Sequence, residues 1–190
     1  MKKSFLLLVV TLFSIFGFAQ TTWKADPMHS SINFSIKHMG ISFVQGRFNK
    51  FNGTLQENGD GLAGAKINFV IDAASINTDV EPRDNHLRNA DFFDVAKYPN
   101  ISFTTTSVQK LNGNSYKING MLTMKDVTRP VSFAATYGGK TKADEKGLVR
   151  MGLTGKLTIN RFDYNINFDP TGTGVGKDVD ITVFMEFTNK

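Results

Sequence analysis

The chain has 190 residues, 41% of them hydrophobic, no cysteine and a formal net charge of +5. That length suits one domain with a sizeable core. The lack of cysteine excludes disulfides, a thiolate nucleophile, Cys-based zinc sites and a lipidated N-terminal cysteine. The positive charge is spread without a lysine or arginine block and falls to +3 once Lys2 and Lys3 are removed, which argues against nucleic acid as a partner.

Lys2 and Lys3 precede an apolar run from Phe5 to Phe16, and Gly17-Phe18-Ala19 then stands before Gln20. This pattern predicts a cleavable signal peptide over residues 1–19 and a single domain over residues 20–190, periplasmic or secreted. The apolar run is too short for a membrane span, and no transmembrane anchor is expected elsewhere.

Eight runs of alternating apolar and polar residues follow. In the first, Ser30 to Met39, Ile32, Phe34, Ile36 and His38 fall on one face and Ser31, Asn33, Ser35 and Lys37 on the other, the mark of a strand with one buried face. Gly40 turns it into a second run, Ser42 to about Gln56. Its apolar set is Val44, Gly46 and Phe48, then Phe51, Gly53 and Leu55. The slip in parity predicts a β-bulge in one long strand. A loop over Glu57–Gly61 leads to a third run with Ile67, Phe69 and Ile71.

There the alternation stops. Thr78 or Asp79 is placed to cap a helix with Pro82 in its first turn, running to about Ala90, and Pro99 ends this insert. The fourth run carries Ile101, Phe103 and Thr105, and Asn112-Gly113 predicts a type I′ hairpin into the fifth, with Tyr116, Ile118, Gly120, Leu122 and Met124. The sixth has Val131, Phe133, Ala135 and Tyr137; the seventh runs from Val149 to Ile159; the eighth carries Val179, Ile181, Val183, Met185 and Phe187. The chain is therefore read as all-β, eight strands in meander order with one short helical insert between the third and fourth. Such a chain closes into a barrel or pairs into a sandwich. Gly46, Gly53, Gly120 and Gly155 lie on the apolar faces, where a glycine marks a bend or leaves room for a ligand.

No catalytic apparatus is legible. His29 and Ser30 are adjacent in an extended run and point to opposite faces, and no G-x-S-x-G elbow exists. His29, His38 and His86 fit no zinc spacing, so no metal or cofactor is expected. The stretch Gly172-Thr173-Gly174-Val175-Gly176-Lys177 imitates a phosphate loop but has Asp178 where Ser or Thr is required and precedes a strand, so it is read as a turn. His38 reads either as a hydrogen-bonded histidine at the core edge or as a polar contact for a ligand. Arg83, Arg88, Asp84, Asp91 and Asp94 read first as an ion-pair and capping network over one end of the fold, and second as a source of arginines for an anionic head group.

Several segments carry a family resemblance: Trp23 with Asp26-Pro27-Met28-His29-Ser30, then Gly46-Arg47-Phe48 and Phe51-Asn52-Gly53. Further on come Arg83-Asp84-Asn85-His86-Leu87-Arg88 with Asp91-Phe92-Phe93-Asp94, Tyr98-Pro99, and Gly120-Met121-Leu122-Thr123-Met124 with Val127-Thr128-Arg129-Pro130-Val131. The chain resembles the YceI-like family of bacterial exported proteins over essentially all of residues 20–190. It departs from the pattern after Ile159, where Tyr164 stands in place of an expected glycine.

The resemblance implies an extended eight-stranded antiparallel lipocalin-like β-barrel. It also implies a channel for a polyisoprenoid or similar long apolar chain, such as a polyprenyl pyrophosphate, a quinone or a fatty-acid derivative, with no catalysis. The channel candidates are Phe34, Ile36, His38, Val44, Phe48, Phe69, Phe103, Leu122, Phe133 and Leu153, with Arg83 and Arg88 as head-group candidates. The expected partner is one long-chain lipid, with a homodimer as a further option. The alternatives are a structural or stress-response barrel with a filled core and a protein partner, and a lipid-modifying enzyme.

Overall fold

The computed structural model describes residues 20–57, 59 and 61–190; the leader expected over residues 1–19 lies outside them. Eleven strands run in chain order: β1 Thr21–Ala25, β2 Ser31–His38, β3 Ser42–Phe48, β4 Phe51–Glu57, β5 Lys66–Asp72, β6 Ile76–Asn77, β7 Asn100–Lys110, β8 Ser115–Met124, β9 Val127–Lys140, β10 Arg150–Asn160 and β11 Val175–Thr188. Three pairs of them are successive pieces of one barrel strand. β1 and β2 both pair with β11; β4 pairs with β1 and β3 with β2; β5 pairs with β4 and β6 with β3. β5 continues through β7, β8, β9 and β10 to β11, and the contact of Ala25 with Phe187 closes the ring. The result is a closed eight-stranded antiparallel meander barrel, which leaves few unpaired edges.

Three sequence expectations change. Strand β1 has no period-two signature in the sequence, because its five residues carry only Trp23 as a large apolar side chain. The expected bulge after Phe48 is a full break. Asn49 N–H and Lys50 N–H leave the ladder and donate to Ser75 O and Ser75 Oγ, so the strand turns a corner between β3 and β4. The helix α1, Glu81–Arg88, is capped by neither Thr78 nor Asp79: Val80 holds the cap position and offers no side-chain bond. The polarity is reversed, since buried Asp84 in the first turn accepts from Thr78 N–H at 2.9 Å and from the Thr78 hydroxyl at 2.5 Å. A carboxylate there also suits the positive end of the helix.

One end of the barrel is sealed. Trp23, Leu55, Leu62, Tyr116, Met151 and Phe187 are fully packed there, with Leu55, Leu62 and Phe187 at 0% exposure. The opposite end carries α1, the segment 89–99, the loop 161–174 and the β2–β3 hairpin. Loop 161–174 begins with a 3₁₀ turn, Arg161–Tyr164, and Tyr164 is buried, which pushes its hydroxyl pKa up to about 12.

Candidate ligand-binding cavity

Strand alternation in a closed barrel turns every second side chain inward. Here those side chains do not meet at the axis. Phe34, Phe69, Phe103, Phe133, Leu157, Ile159, Ile181 and Val183 line a cavity of about 190 Å³ and are only half-buried although they face the barrel interior. The barrel is hollow from beneath the insert down to the sealed floor, and every lining residue except Asn33 and Arg161 is apolar.

Of the expected channel residues, Phe34, Ile36, Phe48, Phe69, Phe103, Leu122, Phe133 and Leu153 are brought together on the wall. His38 and Val44 are not on it. His38 is exposed at the last rung of β2, opposite Ser42, and Val44 is half-buried two rungs below. Their ladder partners Val175 and Ile36 do line the cavity, so His38 and Val44 stand at its rim, where His38 stays in solvent. That corrects both readings of His38.

The insert and a loop supply wall residues that alternation does not reveal. Leu87 of α1, Phe92 and Phe93 after it, and Arg161 and Ile166 of the loop all line the cavity. Phe93 packs edge-on against Phe48 at 5.8 Å between centroids, and Phe92 meets Phe168 at 4.9 Å, with His86 against both rings. His86 is in turn held by Asp91 at 2.9 Å. These aromatic contacts tie the insert to loop 161–174 across the end of the barrel.

The inward glycines have a single explanation. A Cβ on Gly46 would lie 2.5 Å from Phe34, on Gly53 2.2 Å from Phe69, on Gly120 2.4 Å from Phe103, and on Gly155 3.0 Å from Phe133. Phe34 and Phe69 stand directly opposite Gly46 and Gly53 in the ladder. The glycines therefore make room for phenylalanine rings laid flat along the wall, rather than for a ligand.

Neither Arg83 nor Arg88 lines the cavity. Arg83 donates to Thr78 Oγ1 at 2.7 Å and Thr78 O at 2.9 Å; Arg88 donates to Ala74 O at 2.9 Å and Ile76 O at 3.0 Å. The expected self-satisfied network exists, but its acceptors are mostly backbone carbonyls. Thr78 bridges Arg83 to Asp84, Glu81 lies 3.5 Å from Arg88, and Asp91 serves His86.

The cation that sequence reading missed is Arg161. It is 3% exposed and donates to the carbonyls of Ile166, Asp169, Val175 and Gly176 at 2.7–3.1 Å. Burial lowers its pKa and the Asp169 charge opposes that. Two carbonyls of the loop and two at the start of β11, gathered by one guanidinium, make Arg161 the fastener of that loop.

At the sealed end, His29 Nδ1 lies 2.8 Å from Asp26 Oδ2, while Ser30 Oγ donates to Glu186 O, so the two adjacent residues do not form a dyad. Asp26, His29 and Glu186 converge, but Arg150 Nε already sits 3.3 Å from Glu186 Oε1.

Fold and site together define an eight-stranded lipocalin-like barrel with a hollow apolar interior and one sealed end. The chain belongs to the YceI-like family: the model of the YceI-like domain matches residues 23–187. It is 38% identical to protein YceI of Escherichia coli O157:H7 over 173 residues, 89% of this chain and 90% of that one. It is 36% identical to a UPF0312 protein of Vibrio vulnificus strain YJ016 over 138 residues, 73% of this chain and 72% of that one.

Among solved structures, the YCEI protein of Campylobacter jejuni superposes with a TM-score of 0.70 at 28% identity, covering 82% of this chain and 90% of that one. A polyisoprenoid binding domain from Saccharophagus degradans gives 0.69 at 16% identity over 88% of this chain and 98% of that one. BcnA of Burkholderia cenocepacia gives 0.77 at 21% over 85% and 98%. The last two show the shared fold.

Proposed function

We propose that this protein is an exported carrier that holds one long apolar chain, a polyisoprenoid or similar lipid, inside the barrel without chemically altering it. The observation that carries the reading is the hollow interior: inward aromatic and aliphatic side chains remain half-buried around an apolar cavity that is blind at one end. An apolar cavity of this kind gains free energy by excluding water from whatever apolar chain fills it. Its slender section between flat phenylalanine rings suits an unbranched or methyl-branched chain better than a compact ligand. The floor of Trp23, Leu55 and Phe187 leaves the insert end as the route of entry.

The family relationship and the polyisoprenoid binding domain with the same fold support this reading. The leader pattern over residues 1–19 supports export, and among the described residues no helix is long and apolar enough to cross a membrane. A catalytic reading has less to stand on, because His29 and Ser30 hold separate partners and the remaining histidines lie on α1 and at the hairpin tip.

Native mass spectrometry of freshly purified protein, followed by lipid extraction, tests the proposal. The expected result is one bound long-chain lipid per barrel. Protein that carries no extractable lipid and takes up none from a prenyl alcohol solution would overturn it.

A further inference from the structure

The ends of the barrel differ in what they show to solvent. Met39 is 60% exposed, Ile41 89% and Phe43 57%, all on the β2–β3 hairpin, and Val80 and Phe168 on the same end are 43% and 40% exposed. Among the described residues of the sealed end, only Met28 and Leu111 are comparably exposed, and each stands alone in its own loop. Scattered single residues need no explanation, but three large apolar side chains within five residues at a hairpin tip do.

The tip is also held in a costly shape. Met39 has φ +51°, a left-handed conformation that an unbranched side chain adopts at some expense, and Gly40 follows at φ +73°. Met39 N–H is pinned to Gly174 O at 2.8 Å, so the tip is fixed to the loop that Arg161 fastens. His38 pairs with Val175, which lines the cavity, so the exposed tip begins one rung above the cavity wall.

Cations flank it. Lys37 faces Phe43 across the β2–β3 ladder, and the backbone of Gly176, next to Lys177 in the chain, lies against Lys37, so both lysines stand at this end of the barrel. Both lysines are exposed and, among the described residues, neither has an ion-pair partner, whereas Arg47 further down β3 is paired with Asp79.

We propose that the β2–β3 hairpin docks the barrel on an anionic lipid surface, with Met39 and Ile41 entering the acyl region and Lys37 and Lys177 meeting lipid phosphates. An apolar wedge with basic flanks is what such a surface recognises. A second copy of the chain fits less well: one hairpin tip supplies far less than the roughly 800 Å² per partner of a stable interface. The inference rests on the carrier reading for its purpose, since it sets the entry end of the cavity against the membrane from which a lipid would be drawn.

Flotation of the mature protein with vesicles of equimolar phosphatidylglycerol and phosphatidylcholine tests it. The pair Met39→Asn and Ile41→Ser should weaken binding at least about tenfold, since two large apolar side chains no longer leave water. Asn tolerates the left-handed backbone at position 39 and position 41 is solvent-exposed, so the melting curve should not move. Lys37→Glu with Lys177→Glu should weaken binding to the anionic vesicles by roughly fivefold per lysine, as should added salt, without affecting pure phosphatidylcholine. Ile41→Trp should shift its emission to the blue only when vesicles are present.

Binding that survives both pairs of substitutions overturns the proposal. So does failure of the wild type to float, or a solution dimer that the Met39/Ile41 pair dissolves. Uptake of a prenyl alcohol in vesicle-free solution is measured in parallel. Lost uptake with vesicle binding intact overturns the carrier reading alone; intact uptake without vesicle binding overturns the docking alone.

Discussion

The indole Nε1 of Trp23 donates to Glu57 Oε1 at 3.1 Å, and the same oxygen receives Lys140 Nζ at 2.8 Å, with the ammonium 5.2 Å from the centre of the Trp23 ring. Glu57 is 3% exposed, and this triad forms the polar seal beneath the apolar cavity. A buried carboxylate is tolerated only while it is paired.

Lys140→Met should therefore destabilise the fold strongly, leaving Glu57 buried with only an indole as partner. Removal of one member of a buried ion pair costs about 3–5 kcal/mol, and the partial exposure of Lys140 places this case near the lower figure. Combining Lys140→Met with Glu57→Gln should restore most of the loss, because the uncompensated charge is gone. Urea denaturation of the single and double variants measures both values, and a double variant as unstable as Lys140→Met would refute the pairing argument.

The inward glycines give the second prediction. At Gly53 the added methyl meets the far edge of the Phe69 ring, which borders the cavity and has space to swing into. Gly53→Ala should fold and lose lipid uptake as that ring narrows the channel. At Gly120 the methyl also meets the backbone oxygen of Thr104 at 2.7 Å, which has nowhere to go. Gly120→Ala should cost about 1–3 kcal/mol of stability through overpacking. Thermal melts beside lipid titrations separate the two effects; the reverse pattern would mean the rings and not the backbone set the limit.

What was legible in the chain follows from period-two patterning. Runs such as Ile67-Phe69-Ile71 and Val179 to Phe187 repeat long enough to declare a buried face, and they fall on β5 and β11. β1 did not declare itself, because Trp23 alone cannot show a period. The corner at Asn49 and Lys50 read as a bulge, because a parity slip is the same in sequence whether one residue is extra or the strand breaks to change neighbours. Site residues on strands were found by alternation, whereas Phe92, Phe93, Arg161 and Ile166 sit in irregular backbone whose inward direction depends on tertiary packing. His38 shows the opposite error: alternation marks a face, but not which side chain at the rim stays in solvent.

Loop 161–174 should come loose in acid. Asp169 accepts from the Thr171 hydroxyl and from Val175 and Gly174 N–H, and the hydrogen bonds hold its pKa at about 2, below its ordinary 3.8. A depressed carboxylate pKa stabilises the fold fully above 3.8, and that contribution is lost as the pH falls through about 2. The gap in melting temperature between wild type and Asp169→Asn should be constant above that window and close within it. A gap that stays constant down to the acid limit would show that the ionised form is not what holds the loop.

Arg83 and Arg88 offer the sharpest division between holding the fold and holding a ligand. Each guanidinium donates to carbonyl or hydroxyl acceptors of the segment 74–78, Arg88 also to Asn85 Oδ1, and neither borders the cavity. Arg88→Gln removes two bonds that anchor α1 to the chain before it, at Ala74 and Ile76. Hydrogen bonds from a charged donor are worth about 1.5–3 kcal/mol each when buried, and partial exposure here reduces the expected total to about 2 kcal/mol. With α1 loosened, Leu87 and Phe93 lose their position on the cavity wall, so uptake should fall for any chain-like ligand regardless of its head group. Titrations with a polyprenyl diphosphate and with the matching alcohol should then show equal losses for Arg83→Gln and for Arg88→Gln, alongside lowered melting temperatures. A loss of tenfold or more confined to the diphosphate, with the melting temperature unchanged, would place that arginine on the head group instead.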